Sequence, residues 1–266
     1  MKKFDPNIVT LGKKPLEPAQ PDLVLGGGNT AHRPITVSER KAAFRHELKY
    51  FINEGEAYLL EQKLHATMDR DPHAHRRNGY FIRSLYFDNY LDSAVRDKIN
   101  GVEDRKKYRI RIYNLKDDNI RLECKQKSDN YIFKRSIRLD RKTCDAITSG
   151  NPTPLRAIAH PLAQEVYIAM RTEQLHPVVL VDYVRQAFTA PHQDIRITFD
   201  KDLRSGYLAT DLFDPETPTV PTKGPYDMIL EVKFNEYLPA YYHHLIQIGS
   251  AQRSAISKYV LCRQFE

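Results

Sequence analysis

The sequence predicts an α+β domain, a closed antiparallel β-barrel with helices packed outside it, over residues 41–266, after a poorly ordered arm over 1–40. Three observations predict it. Segment after segment shows strict period-two alternation, the mark of strands with two unlike faces. The polar face of those segments is strongly basic. The apolar faces are followed by amphipathic helices able to cover them from outside, and closure of the sheet would remove its edges.

The arm, 1–40, carries five prolines and a GGG at Gly26–Gly28 with little periodicity. "LGGGNTAHRP" has no GK[ST] and reads as a linker rather than a phosphate loop. Order is expected from "FRHELKYFI", where Arg45, Glu47 and Lys49 alternate with Phe44, Leu48 and Tyr50. "EGEAYLLEQKLHATMDRD" reads as a helix with Leu60, Leu64 and Met68 on one face. "DPHAHRRN" is a polar loop whose His73 and His75 are expected to be solvated. "YFIRSLYFDN" is a strand ending in a turn, and a short helix follows around Leu91–Ile99. "YRIRIYNLKDDNIRLECKQK" then gives two strands joined by the polar turn LKDDN. Arg109 and Arg111 oppose Tyr108, Ile110 and Ile112, and Glu123, Lys125 and Lys127 alternate with Leu122 and Cys124.

"YIFKRSIRLD" places Lys134, Ser136 and Arg138 on one strand face. "PLRAIAHPLAQEVYIAMRTEQL" is helical with a break at Pro161. Three more strands follow: "PVVLVDYVRQAF", long enough to bend, "DIRITFD", and "DMILEVKF" after the proline-rich loop 215–225. Pro239 suits a first helical turn, and "SAISKYVLCRQF" closes the chain as a helix.

The chain of 266 residues has a formal net charge of +7 and a sequence pI near 9.1, which suits an anionic partner without choosing one. Its three cysteines form no CxxC, arguing against a disulfide framework or a zinc site. No apolar run approaches the ~18 residues of a membrane span, and the first residues lack a signal-peptide core. A reduced, cytoplasmic protein is expected.

Charges on neighbouring strands lie about 5 Å apart, and each like pair costs about 2 to 3 kcal/mol at an effective dielectric near 20 but well under 1 in open water. A cationic face in a partly enclosed space therefore requires an anion. A merely solvated open sheet would mix charge signs with Thr, Gln and Ser, whereas here Arg and Lys outnumber carboxylates on at least six strands. Duplex nucleic acid is too wide for such a lumen. A single strand would call for aromatic residues on the charged face, and these fall mainly on the apolar one. A chain of phosphates fits better, because Arg forks bind phosphate oxygens bidentately. Lys127, Arg138 and Lys233 share the charged faces and are expected to bind phosphate.

"RHELKY", "SLYFDN", "KYRIRIY", "LECKQK", "RITFD", "LEVK" and "SKY", in this order over roughly 41–263, resemble the VTC polyphosphate polymerase domain. That family belongs to the triphosphate tunnel metalloenzymes, relatives of the CYTH phosphatases. The resemblance implies a closed barrel whose tunnel transfers the terminal phosphoryl group of ATP to a growing polyphosphate chain. It implies phosphate ligation by Lys49, Arg109, Arg111, Lys125, Lys134, Arg185 and Arg196, with Arg109, Arg111 and Lys125 central to catalysis. It also implies a metal-binding Glu231 and a catalytic tunnel-end Lys258. Mn²⁺ or Mg²⁺ suits such a site because phosphate and water supply most of the oxygens. Glu123 and Glu47 are candidate metal helpers, or partners that hold neighbouring arginines in place.

Two departures stand out. The ExExK start of many tunnel phosphatases is here Arg45-His46-Glu47-Leu48-Lys49, and losing the first carboxylate favours transfer over hydrolysis. Ala255 occupies a position where a second lysine often precedes Lys258, with Arg253 the nearest substitute. The rival readings are a metal-dependent tunnel triphosphatase and a non-catalytic polyphosphate-binding module. The expected partners are ATP and polyphosphate, not nucleic acid. With no span of its own, the chain is expected in the cytoplasm, or at the inner face of a membrane if a membrane protein accompanies it.

Overall fold

The computed structural model describes residues 46–71, 79–128, 131–190, 194–222, 228–247 and 253–264. The N-terminal arm, Arg45, His73 and His75 lie outside them. Strands β1 (His46–Ile52), β2 (Asp69–Arg70), β3 (Tyr80–Asp88), β4 (Arg105–Tyr113) and β5 (Lys116–Ser128) are followed by β6 (Tyr131–Leu139), β7 (His176–Thr189), β8 (Arg196–Tyr207), β9 (Val220–Pro221) and β10 (Met228–Phe234). The helices are α1 (Glu54–His65), α2 (Ser93–Ile99), α3 (Arg141–Thr148), α4 (Pro161–Thr172), α5 (Ala240–Leu245) and α6 (Lys258–Arg263), with a 3₁₀ turn at Thr153–Ala157.

The main path of the antiparallel sheet runs β1-β10-β8-β7-β3-β4-β5-β6, with β2 on β7 and β9 on β8. The sheet is curled, but among the described residues β1 and β6 do not pair, so the expected closed barrel is an open one. The outer edge of β1 is occupied instead. Tyr50 bridges Arg253, and the Ser254 N–H donates to the Lys49 carbonyl at 3.0 Å. A segment just before α6 thus supplies the partners that β6 would have supplied.

Alternation sorts the side chains as expected on the convex side. Leu85, Phe87, Ile110, Ile112, Leu122 and Ile137 pack with α3, the 3₁₀ turn and α4 through Cys144, Ile147, Leu155, Leu162 and Val166. Ile197, Phe199, Leu230 and Val232 pack under α1 through Ala57, Leu60 and Leu64. Asn53 and Glu56 close a capping box at the start of α1, a feature worth about 1 kcal/mol. Pro161 is where the predicted helix breaks, as the first residue of α4.

Four local expectations change. The predicted helix at 54–71 ends at His65, and Asp69–Arg70 pairs with β7 instead. The LKDDN turn is mostly strand: the chain reverses at Asn114 and Leu115, both with positive φ (51° and 57°), as a two-residue hairpin turn demands. Pro239 precedes α5 as its N-cap rather than entering its first turn. Helix α6, lastly, does not lie outside. Tyr259, Cys262 and Ile256 pack against Tyr86, Val179, Val181 and Leu203 on the concave face, so that face is apolar at one end. Among the described residues no helix is long and apolar enough to cross a membrane.

Candidate active site

The concave face carries the charge, and the register sets its geometry. On β4 and β5 the facing pairs are Arg105 with Lys127, Lys107 with Lys125, Arg109 with Glu123, and Arg111 with Arg121. On β1 and β10, Glu47 faces Lys233 and Lys49 faces Glu231. β8 adds Arg196, Thr198 and Asp200, and β7 adds Tyr183 and Arg185. Gly79 lets β3 start beside Arg185: it has φ +95°, and a Cβ there would lie 2.2 Å from the Arg185 carbonyl oxygen.

Two carboxylate centres organise these cations. The first is formed by Glu231, Asp200 and Glu47. Arg185 donates to Asp200 at 2.6 and 2.7 Å and to Glu231 at 3.2 Å. Lys258 reaches Asp200 at 2.5 Å, Lys233 reaches Glu231 at 3.1 Å and Glu47 at 3.4 Å, and Lys49 reaches Glu231 at 3.3 Å. Burial alone would raise the Glu231 pKa, but the ammonium groups of Lys233, Lys258 and Lys49 hold it well below the usual range. Burial likewise opposes the charge on Asp200, yet Arg185 and Lys258 keep its pKa at about 2. Lys258 is raised above its ordinary value because Asp200 and Glu231 outweigh its burial.

The second centre is Glu123, 3% exposed, which accepts from Arg109 at 2.6 Å and pairs with Lys134 at 2.6 Å. Against the pull of burial, Arg109, Arg111 and Lys134 depress its pKa strongly. The two centres are linked by Lys125, which crosses from β5 to Glu47 on β1 at 3.0 Å. Arg109 also donates to the Tyr86 hydroxyl at 2.8 Å, and Tyr86 stacks on Tyr259 with centroids 4.8 Å apart.

Arg111 differs from these. It is 7% exposed, and its partners are neutral: the Ser84 hydroxyl at 3.1 Å and the Tyr183 hydroxyl at 2.9 Å. Arg196 pairs with Asp71 at 2.5 Å and donates to the Tyr80 hydroxyl at 3.1 Å. Among the described residues, the Arg196 Nε and Thr198 Oγ1 are the buried side-chain polar atoms with no hydrogen-bond partner.

The family model of the VTC domain matches residues 44–265. The chain belongs to the VTC domain family. Among solved structures, a proposed adenylyl cyclase from Hippeastrum, described as having dominant triphosphatase activity, is 13% identical with a TM-score of 0.50, covering 83% of this chain and 95% of that one. Proposed adenylate cyclases from Bacillus halodurans (14% identity, TM-score 0.45, 77% and 87% covered) and Vibrio parahaemolyticus (9%, 0.45, 83% and 98%) are also similar. At these identities the likeness concerns the fold. No curated protein matches the chain.

In this VTC domain, Lys49, Lys125, Lys134, Lys233, Lys258, Arg109, Arg185 and Arg196 each have a carboxylate partner. The lumen is therefore far better neutralised than the sequence implied. Arg138 sits exposed beside Arg121 at the hairpin end, and Lys127 faces Arg105. Of the three carboxylates expected at a metal, Glu47 and Glu231 come together and Glu123 does not join them. Among the described residues no cluster of three Asp, Glu, His or Cys could hold an ion. The tyrosines Tyr80, Tyr86 and Tyr183 stand on the charged face, contrary to expectation, yet all are buried and engaged with arginines, so none offers a free ring to a base. Arg253 is exposed, its backbone bridging Tyr50.

Sequence reasoning missed Asp200, Ser84, Tyr183 and Asp71. Asp200 ends the motif "RITFD" and continues the alternation of Arg196 and Thr198, which was a usable signal. The others owe their roles to partners distant in sequence.

Proposed function

We propose that this VTC domain is a metal-activated polyphosphate polymerase that uses ATP. The observation carrying the reading is Arg111, a buried guanidinium held by two hydroxyls with no carboxylate partner among the described residues. A buried cation whose hydrogen-bond partners are all neutral gains strongly from an anion. Family membership supports a phosphate chain as that anion.

In the reaction, the bond between the γ-phosphorus of ATP and the β–γ bridging oxygen breaks. A terminal oxygen of the polyphosphate chain bonds to that phosphorus, and ADP leaves. Such transfer is mainly positioning and neutralisation of the equatorial oxygens. Arg109 and Arg111 serve those oxygens, with Lys125 and Lys258 at either side. Arg185, Lys49 and Lys233 hold neighbouring phosphates after exchanging some of their contacts with Glu231 and Glu47. Glu47 and Glu231 give two hard oxygen donors on neighbouring strands, and that pair fits Mn²⁺ or Mg²⁺ when phosphate and water complete the shell. The ion would screen charge on the phosphate oxygens. Glu123, held by Arg109 and Lys134, orients those cations. The expected setting is the cytoplasm, or the inner face of a membrane beside a membrane-protein partner.

The second reading is a tunnel triphosphatase, favoured by the activity described for the Hippeastrum relative of this fold. Incubation with ATP and Mn²⁺, with chain growth followed on a gel and ADP and phosphate quantified, separates the two. Lengthening chains with matching ADP support the polymerase. Free phosphate without chains establishes the triphosphatase, and polyphosphate binding without turnover a non-catalytic module.

A further inference from the structure

The β4–β5 ladder is uneven. Arg109 faces a carboxylate, Glu123, but the two preceding rungs oppose like charges, Arg105 with Lys127 and Lys107 with Lys125. Like charges directly opposite one another on a sheet repel. Lys98 of α2 adds to the same cluster, its ammonium destabilised by burial and then by Arg105, Lys49, Lys127 and Lys125. Among the described residues Lys98, Arg105, Lys107 and Lys127 have no carboxylate within 4.0 Å. The contacts of Lys107 are neutral: its Nζ donates to the Ser257 hydroxyl at 3.0 Å and lies 5.4 Å from the centre of the Tyr259 ring. Lys107 is thus a half-buried cation in the situation of Arg111, two rungs along the same strand.

We propose that Lys98, Arg105 and Lys107, with the Ser257 hydroxyl, form a second anion subsite, which holds phosphate units of a chain extending beyond the reacting phosphates. The inference rests on the polyphosphate reading and deepens it. Successive rungs on one face lie about 7 Å apart, so these charges make a stripe rather than a point. A stripe suits a linear polyanion and adds little for a triphosphate already seated at Arg109 and Arg111. Burial and the neighbouring Lys98, Arg105, Lys125 and Lys49 press the Lys107 pKa down to about 7, and a bound anion would relieve that pressure.

The test is calorimetric binding of tripolyphosphate and of long-chain polyphosphate to the full chain in EDTA at fixed salt. Unaltered protein is compared with Lys107→Met, the double variant Lys98→Ala/Lys107→Met, and Lys142→Ala, which removes an exposed charge on α3. Thermal melting without ligand checks that each variant folds, and Lys107→Arg should restore binding. The expected result is a loss of about tenfold for the long chain in the double variant, with tripolyphosphate and Lys142→Ala nearly unchanged. Equal losses for both ligands, or no loss for either, overturn the subsite. If the unaltered protein binds tripolyphosphate tightly but shows no preference for longer chains, the subsite fails while the polyphosphate reading stands. If it binds neither, the polyphosphate reading fails and takes the subsite with it.

Discussion

Lys258, at the start of the last helix, places its Nζ 2.5 Å from the Asp200 carboxylate, which is also held by Arg185. One buried carboxylate on β8 thereby anchors two cations delivered by different elements. Removing one partner of a buried ion pair costs about 3 to 5 kcal/mol, because the remaining charge is stranded.

Asp200→Asn should therefore lower stability by roughly 3 kcal/mol while strengthening anion binding by the folded protein, since Arg185 and Lys258 are released. Denaturant unfolding with and without tripolyphosphate checks both parts. The depressed pKa gives a pH signature as well. Asp200 titrates at about 2 in the folded chain against an ordinary 3.8, so its contribution is complete above about 4 and fades as pH falls through about 2. The asparagine variant should lack that component of acid unfolding.

Arg111→Met keeps most of the side-chain volume and removes the charge. Turnover should fall by roughly two orders of magnitude, the usual loss when a charge-stabilising donor goes. The ligand-free melting temperature should change little, because the hydrogen bonds of the buried Ser84 and Tyr183 hydroxyls are lost while cationic repulsion against Arg121 is relieved. Retained activity with a lower melting temperature would make Arg111 structural.

Glu231→Gln separates charge pairing from metal ligation. As a metal ligand, its loss should abolish Mn²⁺-dependent turnover while tripolyphosphate still binds as tightly or more so. As a mere partner of Lys49 and Lys233, its loss should leave turnover and the Mn²⁺ requirement in place. Titration of affinity and turnover on the same variant decides between them, and Glu47→Gln should behave alike if the two carboxylates act together.

Lys107 predicts a slope in stability with pH. It titrates at about 7 when folded against an ordinary 10.5. Between those values the unfolded chain holds a proton that the native chain lacks, so ligand-free stability should rise across this window. Below pH 7 both states are protonated and the repulsive cost is at its fullest. Polyphosphate offsets that cost, so the thermal shift it gives should be largest below pH 7. Lys107→Met should flatten both trends in melting experiments.

Much of this was legible in residues 105–127, where alternation alone put Arg109, Arg111, Lys125 and Lys127 on one face. The same reading fails at the turn inside that stretch, because nothing in Asn114-Leu115 advertises two positive φ angles as Asn-Gly would. Periodicity shows that two faces differ, not which one meets a helix. Hence α6 was expected outside and lies within. The pairing of Lys49, Arg185 and Lys233 with carboxylates was hidden for a related reason: each strand's charges were visible, but Glu231, Asp200 and Glu47 converge only through the sheet order. Helix α3 is not legible in the sequence because "RKTCDAIT" is short and mixed, and its burial of Cys144 and Ile147 depends on β5 and β6.

The register of β1 against β10 also governs the order in which the site can assemble. Arg109 meets Glu123 within a hairpin, 14 residues apart, whereas Lys49 meets Glu231 across 182 residues of chain. Closing the longer loop costs about 2 kcal/mol more in chain entropy, and contacts so distant in sequence form late. The hairpin's cations would then form an electrostatic trap before the carboxylates of β8 and β10 arrive. If the proposed function holds, a refolding chain would capture polyanion first and acquire catalytic competence second, so phosphate chains in the medium would act on the folding route as well as on the folded protein.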